Sequence, residues 1–247
     1  MWTAGKLRLN RKVAVIDRPD RLVGRPGLGY HLGRRMSKDG KATPRGQAKQ
    51  PAKARRVGVP DAEIRPALRE HLLRRHASEA DTILIEELGL RRGQVRVDLA
   101  VVNGSLHGFE IKSDRDSLRR LAVQVDLYSQ VLDRATLVVG ERFAPHATSL
   151  VPVWWGVLRV SRKPGGLGFT TLRRSGVNPQ RNARVLAELL WAGQALALLE
   201  ERNAATGMRG KPRRVLWDRV CEYLSVEEIA AAVRDRLRAN SGSEVPV

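Results

Sequence analysis

The stretch from Glu86 to Tyr128 constrains the fold more than any other, because a two-residue period gives way within it to a helical one. Val95, Val97, Leu99 and Val101 alternate with Arg96, Asp98, Ala100 and Val102, the pattern of a strand with one buried face. Asn103-Gly104 supplies a turn, and His107 to Lys112 resumes the alternation on the return. Register follows from parity. If Asp98 stands opposite Glu110, Arg96 stands opposite Lys112, and Asn103, Gly104 and Ser105 form a three-residue loop. All four charges then share one face. A two-residue Asn-Gly turn would instead pair Asp98 with Phe109 and send Glu110 to the other face. The longer loop, or a bulge near Gly108, is therefore expected.

Opposed carboxylates on neighbouring strands repel, as do neighbouring Arg and Lys side chains. Such a cluster is tolerated when a hard cation or a phosphate sits among the charges, and oxygen ligands of this kind suit magnesium or manganese. The ordinary alternative is a ladder of charge on a solvated sheet face. Downstream, Leu118, Leu121, Ala122, Val125 and Val131 outline a helix capped by Asp114 or Asp116 and reaching about Leu132. Gln124 and Tyr128 project from that helix one turn apart.

Asp98, followed after eleven residues by Glu110-Ile111-Lys112, resembles the D…ExK signature of the PD-(D/E)XK nuclease superfamily. Gln124-Val125-Asp126-Leu127-Tyr128 adds the QxxxY helix motif of its RecB-like members. The wording IEELGL, RVDLAVVNGSLHGFEIKSD, DSLRRL and LVPVWWGV resembles a bacterial branch of that superfamily, the sce-type hypothetical proteins. The resemblance covers roughly residues 59–237. It implies an α/β fold: a restriction-endonuclease-like αβββαβ core with a central mixed sheet, plus C-terminal helices. It also implies an Mg2+- or Mn2+-dependent nuclease that hydrolyses phosphodiester bonds, in DNA rather than RNA, and a superfamily habit of acting as homodimers.

By that resemblance Asp98 and Glu110 are metal ligands, the Ile111 carbonyl is a further ligand, and Lys112 contacts the attacking water or the phosphate. Glu87 is the upstream acidic residue, with Glu86 its rival, and Gln124 and Tyr128 position the phosphate or brace the site. Arg96, Arg119 and Arg120 are candidate contacts to the nucleic-acid backbone; for Arg119 and Arg120, as for Arg213 and Arg214, a solvated face is the alternative. His107, beside the hairpin turn, reads as a turn residue rather than a ligand, and Trp154 and Trp155 read as packing against the sheet edge. Two other functions fit the residues: a non-catalytic nucleic-acid-binding protein on a nuclease-like fold, and an adaptor whose C-terminal helices bind a partner protein.

Flanking segments complete the order. Lys12–Ile16 is strand-like; a helix runs from an Asp61 cap through Ile64, Leu68 and Leu72 to about His76, and Thr82–Leu88 is a strand ended by Glu86 and Glu87 and broken by Gly89. Ala135–Val139, Val151–Val160 and Gly168–Arg173 are further strands, the last two joined by the Pro-Gly-Gly turn. Asn182–Arg202 and Val215–Leu224 are helical, and Ser225 with Glu228 forms a capping box for a last helix.

Charge divides the chain. Residues 1–58 hold sixteen Lys/Arg against three Asp/Glu, a formal +13 of the total +19, and carry too little apolar surface to offset the entropy of ordering. They read as a basic, disordered arm fit for nucleic acid, ahead of a core over 59–178 and a helical extension over 179–247. Met36 offers a second candidate start of translation. The lone Cys221 excludes an internal disulfide and a cysteine-built zinc site and reads as a buried helix residue. No apolar run reaches membrane-spanning length and no signal-peptide pattern opens the chain, so a cytoplasmic location is expected.

Overall fold

The computed structural model describes residues 13–15, 58–79 and 81–239. Every described residue lies in one compact unit. The expectations for the rest of the basic arm and for Met36 fall outside the described residues.

Seven strands form one mixed sheet in sequence order: β1 (Val13–Val15), β2 (Ile83–Leu90), β3 (Val95–Val102), β4 (Leu106–Lys112), β5 (Arg134–Val139), β6 (Gly156–Lys163) and β7 (Gly166–Arg173). Neighbours are antiparallel except β4 with β5 and β5 with β6. A parallel step needs a crossover, and α2 (Leu121–Ser129) supplies it between β4 and β5. The strand-like piece of the basic arm is β1, paired with β2.

Helices cover both faces. On one, α1 (Asp61–Arg75) packs Ile64, Leu68 and Leu72 against Leu84, Leu99, Val101 and Ile111. On the other lie α2 and the C-terminal helices α3 (Ala183–Ala187), α4 (Ala192–Glu201), α5 (Arg213–Tyr223) and α6 (Val226–Ala239). No helix among the described residues is long and apolar enough to cross a membrane.

The hairpin register is the expected one as far as Leu99↔Phe109; there the ladder stops, so the expected pairs Asp98 with Glu110 and Arg96 with Lys112 do not form. Val102 pairs with Leu106, leaving Asn103, Gly104 and Ser105 as the loop, and Asn103 Oδ1 accepts the Ser105 N–H at 3.0 Å. Gly108 carries no bulge. A Cβ there would collide with Leu132, so the glycine lets Leu132, just past the end of α2, pack directly on β4.

Strict alternation fails at one place. Leu99 and Val101 pack under α1, yet Val97 packs with Ala100 and Val102 on the opposite face. β2 slips in step: Ile83 and Ile85 share that opposite face with Leu88 and Leu90. The slip lies at Glu87 and Asp98, between the pairs Glu86↔Leu99 and Leu88↔Val97, and Glu87 has φ 54°. Glu86 and Glu87 therefore kink the strand rather than end it, and β2 runs through Gly89 to Leu90.

Other boundaries shift for identifiable reasons. Pro60, not Asp61, precedes the first turn of α1. α2 starts at Leu121 because Asp114 and Asp116 are engaged elsewhere: Asp114 accepts the N–H groups of Val59 and Arg142, and Asp116 that of Ser113. Ala122 is exposed. Residues 151–155 are loop rather than strand, because the Arg173 guanidinium collects the carbonyls of Thr148, Val151, Pro152 and Trp155. Trp154 and Trp155 lie in the core, not at an edge, and Trp155 stacks on Tyr128 with ring planes 1° apart. The long helix expected over 182–202 is two, since the Leu190 carbonyl accepts from Trp217 Nε1, and the Trp191 N–H, donating to Gln194 Oε1, caps the start of a new helix. The Ser225–Glu228 capping box is present. Cys221, on α5, is half-buried.

Candidate active site

The site forms where the β3–β4 ladder stops. Its last pair is Leu99↔Phe109, and one step on Asp98 Oδ2 accepts the Ile111 N–H at 2.7 Å. The side chain thus takes the place of a strand partner. From β4, Glu110 and Lys112 point toward the same place, both buried, with Lys112 Nζ 2.5 Å from Glu110 Oε1. From α2, Gln124 Nε2 donates to Glu110 Oε1 at 2.6 Å, and Tyr128 Oη lies 2.7 Å from Oε2. Residues one helical turn apart therefore hold both oxygens of one carboxylate.

Tyr128 Oη also lies 2.5 Å from the Arg96 carbonyl. One hydroxyl hydrogen serves only one of these two acceptors. A proton on Glu110 satisfies both, because Glu110 then donates to Tyr128 while Tyr128 donates to the carbonyl. Burial raises the Glu110 pKa and the negative charge of Asp98 raises it further, against the opposing pull of Lys112.

Asp98 is neutralised from the other face of the sheet. Arg65 on α1 donates through Nη2 to Asp98 Oδ1 at 2.8 Å, and through Nη1 to Glu87 Oε1 at 2.9 Å and to the Asp98 carbonyl at 3.2 Å. Its Nε is 3.5 Å from Asp61 Oδ2. The kink at Glu87 and Asp98 makes this reach possible, since it brings a carboxylate from each of two adjacent strands toward one guanidinium. Between the two upstream glutamates the geometry favours Glu87: Glu86 pairs instead with Arg69 at 3.1 Å. Sequence reasoning missed Arg65. The available signal was its i, i+4 spacing from Asp61 on the helix face beside the Ile64/Leu68/Leu72 stripe.

These groups line an open cleft of ≈ 990 Å³. Its walls also include Gly93–Arg96, Ile111, Asp116, Ser117, Arg119 and Arg120, with Arg96, Arg119 and Arg120 exposed. The cleft is therefore layered. At the floor, four carboxylates (Asp61, Glu87, Asp98, Glu110) face two cations (Arg65, Lys112), a formal excess of two negative charges. The rim carries three arginines against Asp116.

The donor set suits a hard divalent cation. Its groups are oxygens, and Gln124 Oε1 is buried beside Glu110 without a hydrogen-bond partner. Among the described residues no three His, Cys, Asp or Glu side chains converge as a complete ligand cage. Magnesium is commonly held by one or two carboxylates and completes its shell with water and substrate phosphate, so two carboxylates are a sufficient anchor.

Other candidates lie elsewhere. His107 is in β4, not a turn, stacked on Phe109 with Nε2 2.8 Å from Thr136 Oγ1; burial pushes its pKa down to about 3. Arg213 and Arg214 are on α5, the first near the Trp217 ring and the second near Asp218.

Among solved structures, a protein of unknown function from Silicibacter pomeroyi aligns at 19% identity over 61% of this chain and 90% of its own, with a TM-score of 0.34. Protein cII of Enterobacteria phage P4 is 29% identical over 141 residues, 57% of this chain and 53% of that protein, so the chain spans about half the length of this relative. The family described as bacteriophage P4 protein cII matches residues 56–244, which takes in every strand from β2 to β7 and all six helices; the chain belongs to that family.

Proposed function

We propose that the protein is an Mg2+- or Mn2+-dependent nuclease of the PD-(D/E)XK type, built on a restriction-endonuclease-like core and hydrolysing phosphodiester bonds in DNA. The observation that carries this reading is the convergence of Asp98, Glu110 and Lys112 from two adjacent strands on one cleft floor, with Gln124 and Tyr128 both holding Glu110. Asp98 and Glu110 would hold the ion, with the Ile111 carbonyl and Glu87 as further oxygen donors. When bound, it supplies charge neutralisation at the phosphate and acidifies a water. Lys112 places a cation at the floor, where negative charge develops on the phosphoryl oxygens. Gln124 and Tyr128 fix the rotamer of Glu110, and the free Gln124 amide oxygen can accept from a water.

Arg96, Arg119 and Arg120 at the rim suit phosphates of the strand on either side. Among the described residues, those that line the cleft are polar or charged apart from Gly93, Val95 and Ile111. Backbone contact of this kind is sequence-independent and salt-sensitive.

The test is incubation of the purified full chain with circular and linear DNA, with and without Mg2+ or Mn2+, beside Asp98→Ala and Lys112→Ala. Metal-dependent cutting that falls about 100-fold or more in both variants supports the reading. Absence of cutting, with DNA retention that survives both substitutions, overturns it in favour of a binding protein.

A further inference from the structure

Arg65 has no role in the chemistry above, yet it is the most heavily engaged cation of the cleft. Its guanidinium touches Asp98 at 2.8 Å and Glu87 at 2.9 Å, with Asp61 at 3.5 Å. It is not needed to dock α1: Ile64, Leu68 and Leu72 do that, fully buried against the sheet. What it does is lay one positive charge on Asp98 Oδ1. Asp98 Oδ2 is meanwhile held by the Ile111 N–H, so the carboxylate is fixed in orientation and Oδ1 is the oxygen whose partner can change.

We infer that Arg65 is the resident counter-ion of Asp98, occupying in the metal-free protein the place that a divalent cation takes, and that it gives up Asp98 when the ion binds. The inference rests on the metal-dependent reading above. Two cations cannot share one oxygen at contact distance without repulsion of several kcal/mol, even at an effective dielectric of about 20. The guanidinium, however, has somewhere to go. Asp61, on the same helix one turn back, stays within its reach and itself lines the cleft. The exchange needs a rotation of one long side chain and no movement of α1. Arg65 therefore sets the affinity for the ion as a competitor, not as a ligand, and is a positioning residue acting through Asp98.

Competition has a signature that a structural brace lacks: removing Arg65 tightens metal binding. Calorimetric titration of Mn2+ into the full chain, without nucleic acid, is expected to show affinity about 10-fold higher in Arg65→Met. Arg65→Lys, which keeps the charge, should stay near the wild type. In EDTA, Arg65→Met should melt below the wild type, and saturating Mn2+ should close that gap. If Arg65→Met fails to fold in EDTA, Arg65→Gln, which keeps an amide donor for Asp98, carries the same expectation. Mn2+ affinity that is unchanged or weaker in the uncharged variants, while wild-type binding is lost in Asp98→Asn, overturns this inference and leaves the metal site standing. No Mn2+ binding by any of the proteins overturns both.

Discussion

Glu110 is held by three side chains, and each hold can be cut separately. Tyr128→Phe keeps the ring stacked on Trp155 but removes the hydroxyl shared by Glu110 and the Arg96 carbonyl. Leaving such a buried acceptor unpaired costs about 1–3 kcal/mol, which urea denaturation of the metal-free protein should register. The raised pKa of Glu110 gives a second expectation. Its folded value lies above its unfolded one, so its contribution to metal-free stability is complete below the unfolded value and is lost as pH rises through the folded one. A divalent cation favours the ionised form and acts in the opposite sense. The rise in melting temperature on adding Mn2+ should therefore be larger at about pH 8 than at about pH 5.

Among the elements, β2 and β3 owe the site to their shared kink. Glu87 sits at φ 54°, where a β-branched side chain is strained and asparagine is tolerated. Glu87→Val should thus cost about 1–2 kcal/mol more than Glu87→Asn, a difference in denaturation midpoints with the carboxylate absent from both. Parity shows why some of this was legible in the sequence. The positions of Asp98 and Glu110 called for a three-residue hairpin loop, or a bulge near Gly108, if both were to face one site, and the QxxxY spacing placed Gln124 and Tyr128 on one helix face. The kink was not legible, because apolar residues on both faces of β3 hide which side each one serves. Nor were the ends of α2 and β6. Asp114 looks like a cap until Val59 and Arg142 claim it, and Val151–Trp155 looks like a strand until Arg173, far along the chain, takes the loop's carbonyls. Arg65 escaped for the same reason, since its partners lie 22 and 33 residues away.

At the scale of the whole molecule, the C-terminal helices are fastened to the sheet through Asp133. This buried carboxylate accepts the Leu106 N–H at 2.7 Å, Arg181 at 2.7 Å and Arg234 on α6 at 2.8 Å, just past the end of α2. Asp133→Ala would leave two arginines without their shared anion, and a loss of about 3–5 kcal/mol is expected in chemical denaturation. The extension thereby bears on the cleft only indirectly, through the α2 crossover that carries Gln124 and Tyr128. That crossover also makes the molecule its own optical gauge. Trp155 lies parallel to the Tyr128 ring at 5.9 Å, and the Tyr128 hydroxyl touches Glu110, so one buried aromatic side chain links the indole to the Glu110 carboxylate. Occupancy of the cleft floor should be readable as a change in Trp155 emission, without any added dye, and that signal should vanish in Trp155→Phe.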